Sequence, residues 1–402
     1  MNLKKEILDN GIILYKPRIP STNTIAISIN VNIGSVYEEE DKRGISHLLE
    51  HMMFKSNKKY SAKEVSMGLE LNGGISNAFT SNFLTSYFVE VIPKGFERIL
   101  DILHSMFINE NYKKDEFERE KKVVLSEIER YENNPEDMLE RLIPKSIFGN
   151  SDYGSPISGY RETVSSISKE ELEEFKLKYY CSKNTFILIE GNFSDKHLEL
   201  IRKKFSKIEE SSAKKKKPSK SKGSDIIKRM NTKNQIYYSK NFEIEFNKNN
   251  FFMPFIFSKV ISGGISSLMF DVFREKYGIG YRVYFEPTYI YEDRIILTLG
   301  IPGYEKEREK NVNAAYEYLI EQILDRKNFQ KYLNGRKKVI SLEYEKIKGD
   351  LFKRILREVF IVSINEKTID DFYSKAISIK TEEIIEFLKY LEESKIVKII
   401  PL

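Results

Sequence analysis

The sequence predicts an α+β fold built twice: two homologous domains, each a mostly antiparallel sheet packed with helices, joined by a basic linker. Three observations carry that reading. Apolar residues that alternate or run continuously lie between stretches of helical periodicity, the pattern of sheets covered by helices. A Lys/Ser-rich run, KKKKPSKSKGS, holds six lysines within residues 214–222 and divides the 402 residues into segments of similar length. Finally, three segments before this run resemble three after it: KKVVLSEIE (121–129) and KKVISLEYE (337–345), SKEELEEF (168–175) and KTEEIIEF (380–387), GISHLLEH (44–51) and GISSLMFD (264–271). Their offsets of 216, 212 and 220 need only small insertions, so a duplication is expected. The domains expected are 1–208, a linker 209–229, and 230–402.

Element by element, IAISINVNIG (25–34) and LTSYFVEVIP (84–93) alternate as half-buried strands do, and TFILIEG (185–191) reads as a strand buried on both faces. Helices are expected over 45–54, 61–71, 96–107, 115–131 and 168–178, with Ser61 and Ser168 as N-caps. After the linker, RIILTLGIP (294–302) and KIVKII (395–400) are the corresponding strands.

Composition narrows the function. A chain with 41% hydrophobic, 12% aromatic and 31% charged residues is a folded one, long enough for two cores. No run approaches the roughly 18 apolar residues of a membrane span, and the first twenty residues lack the unbroken apolar core of a signal peptide. A cytoplasmic protein with no membrane partner is expected. The single cysteine, Cys181, excludes an intramolecular disulfide. The formal charge of +6 comes largely from the lysine run. Pro, Ser and Gly interleave that run and no aromatic residue does, so it reads as a solvated linker and no nucleic acid is expected as partner.

The chemistry is concentrated in GISHLLEHMMFK (44–55), since two of only four histidines stand there four residues apart. On a helix, His47, Glu50 and His51 project to one side, and Ile45, Leu48, Leu49 and Met52 to the other. Two imidazoles at this spacing can chelate Zn²⁺, and the carboxylate between them can take a proton from water polarised by such an ion. HxxEH is the inverzincin order, the reverse of HExxH. A third ligand is needed. His104 lies in an apolar helical run and His197 in a charged one, and both read as structural histidines. Glu127 is the better candidate. Phe117, Val124 and Ile128 mark the buried stripe of helix 115–131, and Glu120 and Glu127 fall between Val123 and Val124 in angle, which is costly without a metal or a cationic partner. A salt bridge to a lysine is the alternative.

Together these residues resemble the pitrilysin family of zinc peptidases. Glu127 follows His51 by 76 residues, the spacing of that family's liganding glutamate. NGGISNAFTSNFLTSY (72–87) and YGSPISGYRETVSSISKEELEEFKLKYY (153–180) are similar to other family segments, so the likeness covers nearly the whole chain. The resemblance implies one Zn²⁺ per chain held by His47, His51 and Glu127, with Mn²⁺ or Co²⁺ as the other metals such ligands accept. It implies Glu50 as general base, Glu120 as support behind the ligands, and Asn77, Ala78, Phe79 and Thr80 on an edge strand that pairs with an extended peptide. One departure stands beside the motif: where the family often has Lys-Gly-Thr, this chain has Lys55-Ser56-Asn57.

The second copy has Ser267, Phe270 and Asp271 at the positions of His47, Glu50 and His51, so its Glu343 alone holds no zinc. It keeps REKYGIGY, in which Arg274 and Tyr281 resemble the family's pair that stabilises the oxyanion. Gly263 and Gly264 resemble a glycine-rich loop that allows close backbone approach to the peptide. In four-domain relatives the metal domain and the Arg/Tyr domain face each other across a closed chamber. For a two-domain chain this implies a dimer, of identical chains, in which Arg274 and Tyr281 of one subunit complete the zinc site of the other. The function expected is that of a zinc endopeptidase of peptides and small unfolded chains. A non-catalytic, peptide-binding partner subunit is the alternative, though its mark would be a lost ligand or a lost Glu50.

Overall fold

In the computed structural model, which describes residues 3–17 and 22–402, two sheets repeat one topology. The first contains β1 (Lys4–Ile7), β2 (Ile13–Lys16), β3 (Ile25–Val31), β4 (Gly74–Thr80), β5 (Thr85–Val91) and β6 (Thr185–Gly191), in the order β1-β2-β6-β3-β5-β4. The second contains β7 (Ile226–Met230), β8 (Gln235–Glu245), β9 (Tyr284–Ile290), β10 (Arg294–Glu305) and β11 (Lys395–Pro401), in the order β7-β11-β8-β10-β9. Leaving out β1, the orders match strand for strand. Each sheet is antiparallel except for one parallel pair, β2 with β6 and β7 with β11. The expected α+β class with a mostly antiparallel sheet in each copy is therefore the observed one.

The likeness extends to side chains. In the first sheet Asn30 donates from Nδ2 to Ser28 Oγ (2.8 Å) and to the Phe186 carbonyl (3.3 Å), and accepts from Ser86 Oγ (2.6 Å). In the second, Asn241 donates to Ser239 Oγ (3.0 Å) and to the Lys395 carbonyl (3.2 Å), and accepts from Thr298 Oγ1 (3.0 Å). One buried polar network thus stands at the same place in both sheets.

Alternation gives each sheet two unlike faces. Ile25, Ile27, Ile29, Val31, Tyr87, Val89, Val91, Ile187 and Ile189 form the apolar face of the first sheet. The helices Ile45–Met53, Ala62–Leu71 and Phe96–Phe107 lie with this sheet, and Ser61 and Ser168 cap their helices through capping boxes as expected. The opposite face carries Ser28, Asn30, Ser86, Phe88, Glu90 and Glu190, and it is covered by the helix Leu351–Asn365, which comes from the second half of the chain. Phe352 packs on Phe88, and Arg354 pairs bidentately with Asp370 (2.9 and 2.8 Å) while its Nε lies 3.5 Å from Glu190.

The second sheet is covered in the converse way. Helix Pro135–Phe148, from the first half, buries Met138 and Leu139 against Met230, Val397 and Ile399. Of the described residues, one compact unit therefore draws on Met1–Ile128, Pro156–Pro218 and Glu345–Asp371, and the other on Glu129–Ser155, Ser219–Tyr344 and Phe372–Leu402. Residues 129–155 and 345–371 are equivalent, because 345 − 129 and 371 − 155 both equal 216, the offset of the KKVV and KKVI segments. The two copies have exchanged the same segment.

The lysine run is exposed or half-exposed throughout and is also held by contacts. Lys215 Nζ sits 4.5 Å from the centre of the Tyr37 ring, and Lys216 donates to the Glu38 carbonyl. Further on, Ser219 N donates to Asp152 (2.6 Å), Ser221 Oγ to the Phe148 carbonyl (2.7 Å), and Gly223 N to the Ile147 carbonyl (2.9 Å). A Cβ on Gly223 would come within 2.1 Å of the Ser146 carbonyl, which is why the run ends on glycine. Residues 226–229 of the expected linker already belong to β7. No helix among the described residues is long and apolar enough to cross a membrane.

Candidate metal centre

The helix Ile45–Met53 has its orientation set by burial. Ile45, Leu48, Leu49 and Met52 are almost wholly buried, which turns His47, Glu50 and His51 the other way. Its first turn is tied down by Glu38, a fully buried carboxylate that accepts from Gly44 N (2.7 Å) and Ser46 N (2.8 Å), donors a helix leaves unpaired. Burial pushes the Glu38 carboxyl up to about 7, against the pull of those two N–H groups and Arg43.

Glu127 arrives from the helix Lys114–Asn133. One ligand atom each from His47, His51 and Glu127 all lie within 4.8 Å of one another. Glu127 Oε2 is 3.9 Å from His47 Nε2 and 3.7 Å from His51 Nε2. Ligands at the usual 2.0–2.2 Å from a tetrahedral zinc stand about 3.4 Å apart, so the two glutamate–histidine distances exceed that spacing by only a few tenths of an ångström. Two imidazoles and a carboxylate with a position left over are a catalytic zinc's donor set. Burial brings His47 down to about 4, helped by the charge of His51, so its ring is neutral at pH 7 as a ligand must be. The residues present fit the metal.

Supporting groups surround these ligands. Glu120 Oε2 lies 3.4 Å from His51 Nδ1, the ring nitrogen turned away from Glu127, and Oε1 pairs with Lys55 Nζ at 2.7 Å. Burial raises the Glu120 carboxyl, but the contacts with His51 and Lys55 outweigh it and hold it below the usual range. Burial lowers His51, and its carboxylate neighbours, Glu120 first, reverse this and raise it. Glu120 thus meets both the metal helix and the lysine that was the alternative explanation for it. Val123 is exposed, so the buried stripe of its helix is Phe117, Val124 and Ile128 with Glu116. Glu116 accepts from Ser56 N (3.0 Å) and Oγ (2.6 Å), binding the loop after the metal helix to the helix that carries Glu127. Ser56 is where the chain departs from Lys-Gly-Thr.

Asn77 to Thr80 lie on β4, the last strand of its sheet among the described residues. Alternation parts them. Phe79 lies on the face of the Leu351–Asn365 helix and stacks on Phe360 at 4.8 Å, and Thr80, on the other face, donates from Oγ1 to Glu50 Oε2 at 2.6 Å. Burial raises the Glu50 carboxyl, and the hydroxyl of Thr80 draws it back. His104 meets the edge of Phe205, and His197 meets Phe96 and accepts from Ser194 N (2.9 Å), so both are structural.

In the other unit, Glu343 pairs with Lys259 at 2.6 Å. The Arg274 guanidinium lies 4.7 Å from the ring centres of both Phe270 and Tyr281, and Tyr281 is 84% exposed. Gly263 and Gly264 have φ of 90° and 84°, a conformation suited to glycine. The structure thus gathers His47, Glu50, His51, Thr80, Glu120 and Glu127 in one unit and Arg274 with Tyr281 in the other. Sequence reasoning missed Glu38, Lys55, Glu116 and the contact of Thr80 with Glu50. Their partners are 6 to 65 residues away and follow no local pattern.

Residues 15–160 match the pattern of the insulinase family, peptidase family M16, and residues 166–335 match that of the M16 inactive domain. Over 301 residues, 74% of this chain and 73% of the other, the sequence is 31% identical to the uncharacterized zinc protease YmxG of Bacillus subtilis. This chain belongs to peptidase family M16. Its M16 fold is also that of a protease from Helicobacter pylori (TM-score 0.89, 20% identity, 100% of each chain covered). A Pseudomonas fluorescens structure described as a peptidase M16 inactive domain is similar too (TM-score 0.87, 16% identity, 100% and 99% covered). The insulinase match spans the HLLEH of this M16 chain, and the inactive-domain match spans Ser267, Phe270 and Asp271, where the second copy lacks ligands.

Proposed function

We propose that this chain is a zinc-dependent endopeptidase that cleaves extended peptides and small unfolded polypeptides. The observation that carries the reading is the convergence of His47, His51 and Glu127 to within 4.8 Å, with Glu50 between the two histidines on the same helix face. In this reading the three residues hold one zinc per chain, which would supply Lewis acidity toward water and the scissile carbonyl. Glu50 takes the proton from the attacking water and returns it to the departing amine. Glu120 keeps the His51 ring turned so that Nε2 faces Glu127. The free edge of β4 at Asn77–Thr80 pairs with the peptide backbone, which selects conformation over sequence. Gly263 and Gly264 let a second stretch of backbone come close to the peptide.

Arg274 and Tyr281 are proposed to donate to the oxyanion, and their mutual contact supports their acting as a pair. We place them in trans, in a homodimer that closes a chamber over the substrate in the cytoplasm. Mixing Arg274→Ala chains with Glu50→Gln chains tests this, and recovery of cleavage is expected. The central experiment is metal analysis of the protein beside its Glu50→Gln variant, with cleavage of a mixed peptide library read by mass spectrometry. Zinc retained with cleavage lost supports the reading. A wild type that binds no zinc and cuts no peptide leaves the partner-subunit alternative, and one that cuts equally well without zinc overturns the zinc dependence.

A further inference from the structure

We infer that Thr80 is a positioning residue that aims Glu50, so that the carboxylate oxygen left to receive the proton is Oε1. This rests on the peptidase reading and deepens it. A glutamate has three torsions to fix, and a base whose carboxylate swings is a poor one, because proton transfer needs hydrogen-bond distance at the moment of attack. Among the described residues, Thr80 is the only residue found to donate a hydrogen bond to the Glu50 carboxylate, through Oγ1 to Oε2 at 2.6 Å. A bond this short to a carboxylate is of the strong, charge-assisted kind.

Thr80 is itself held. It is the last residue of β4, paired with Thr85, and the turn that follows is closed by Ser81 N to the Leu84 carbonyl (2.7 Å) and Ser81 Oγ to the same oxygen (2.9 Å). Gly34 lies so near that a Cβ there would come within 2.3 Å of the Ser81 carbonyl, which leaves the turn no room to shift. Branching at Cβ limits the rotamers of Thr80 itself. A rigid strand end therefore presents its hydroxyl to Glu50 Oε2, with its own backbone N–H facing the same carboxylate. Because the same strand end borders the edge proposed for the peptide, its backbone serves the peptide while the Thr80 side chain sets where the base points.

The test compares Thr80→Val, which keeps shape and removes the donor, with Thr80→Ser, which keeps the donor. Thr80→Val is expected to lower kcat by about 10- to 100-fold. KM should stay within about twofold and zinc per chain unchanged, and Thr80→Ser should recover most of kcat. In crystals of the metal-free proteins, Glu50 Oε2 should leave its present place in the Val variant and keep it in the Ser variant. A Val variant with wild-type kcat, or one whose metal-free structure leaves the Glu50 carboxylate where it is, overturns the inference. Should Glu50→Gln cleave as well as the wild type, the peptidase reading fails, and the metal-free comparison still decides whether Thr80 holds Glu50.

Discussion

Three buried or half-buried carboxylates, Glu190, Glu358 and Asp370, share the single guanidinium of Arg354. Asp370 takes the bidentate place, and Glu358 accepts from Ile369 N at 2.7 Å. Burial pushes Glu190 up to about 7 despite Arg354, and raises Glu358 well above the usual carboxylate range. A carboxyl whose folded pKa is raised binds more protons folded than unfolded, so its stability is fully present below the unfolded value of 4.5 and is lost as pH rises toward 7. Glu190→Gln should therefore gain on the wild type between pH 5 and pH 8, by about 2–4 °C in Tm, and thermal melts across that range check it. Among the candidate ligands, Glu127→Gln should lose zinc on dialysis. Glu120→Gln should weaken zinc by about 10- to 100-fold, measured by competition with a chelator, because the hold on His51 is lost while the three candidate ligands stay. The cluster of His47, His51 and Glu127 was legible because two of its members share a helical turn and the third follows at a family spacing. Glu38 was not, since nothing in VYEEEDKRG marks which of three consecutive glutamates turns inward.

Elements were legible where one face is buried and the other wet. The strands β3, β5, β6, β10 and β11 and the helices at 45, 62, 96, 114 and 169 stand within three residues of expectation at either end. Strand β8 escaped notice because Lys240 interrupts its apolar face, where the ammonium sits 4.0 Å from the centre of the Tyr316 ring. Strands β1, β2 and β7 are only four or five residues long and carry little pattern. The metal helix depends on its first turn. Glu38→Ala would leave the N–H groups of Gly44 and Ser46 buried without an acceptor, at about 1–3 kcal/mol. Thermal and zinc-binding measurements should fall together in that variant, with Glu38→Gln milder. Ser168→Ala removes a capping box on a helix that supplies no candidate ligand and should cost about 1 kcal/mol with zinc affinity unchanged.

At the scale of the molecule, the repeated segments announced two copies, and the matched strand orders bear that out. They did not announce which helix covers which sheet, since an amphipathic helix fits either of two like surfaces. The exchange of 129–155 with 345–371 has a measurable result. A chain cut once within residues 207–214, ahead of the pinned lysines, should still elute as one species, because each fragment carries a helix belonging to the other's sheet. Fragments made separately should fail to give cooperative melts.

The exchange also sets a timetable for synthesis. The last strand of the first sheet ends at Gly191 and its covering helix begins at Leu351, an interval of 351 − 191 = 160 residues. At a ribosome's pace of roughly 5–20 residues per second, that surface waits on the order of ten to thirty seconds for its cover. A greasy surface left bare so long would invite aggregation. Serine, asparagine and glutamate, set among the phenylalanines of that surface, let the nascent chain tolerate the delay.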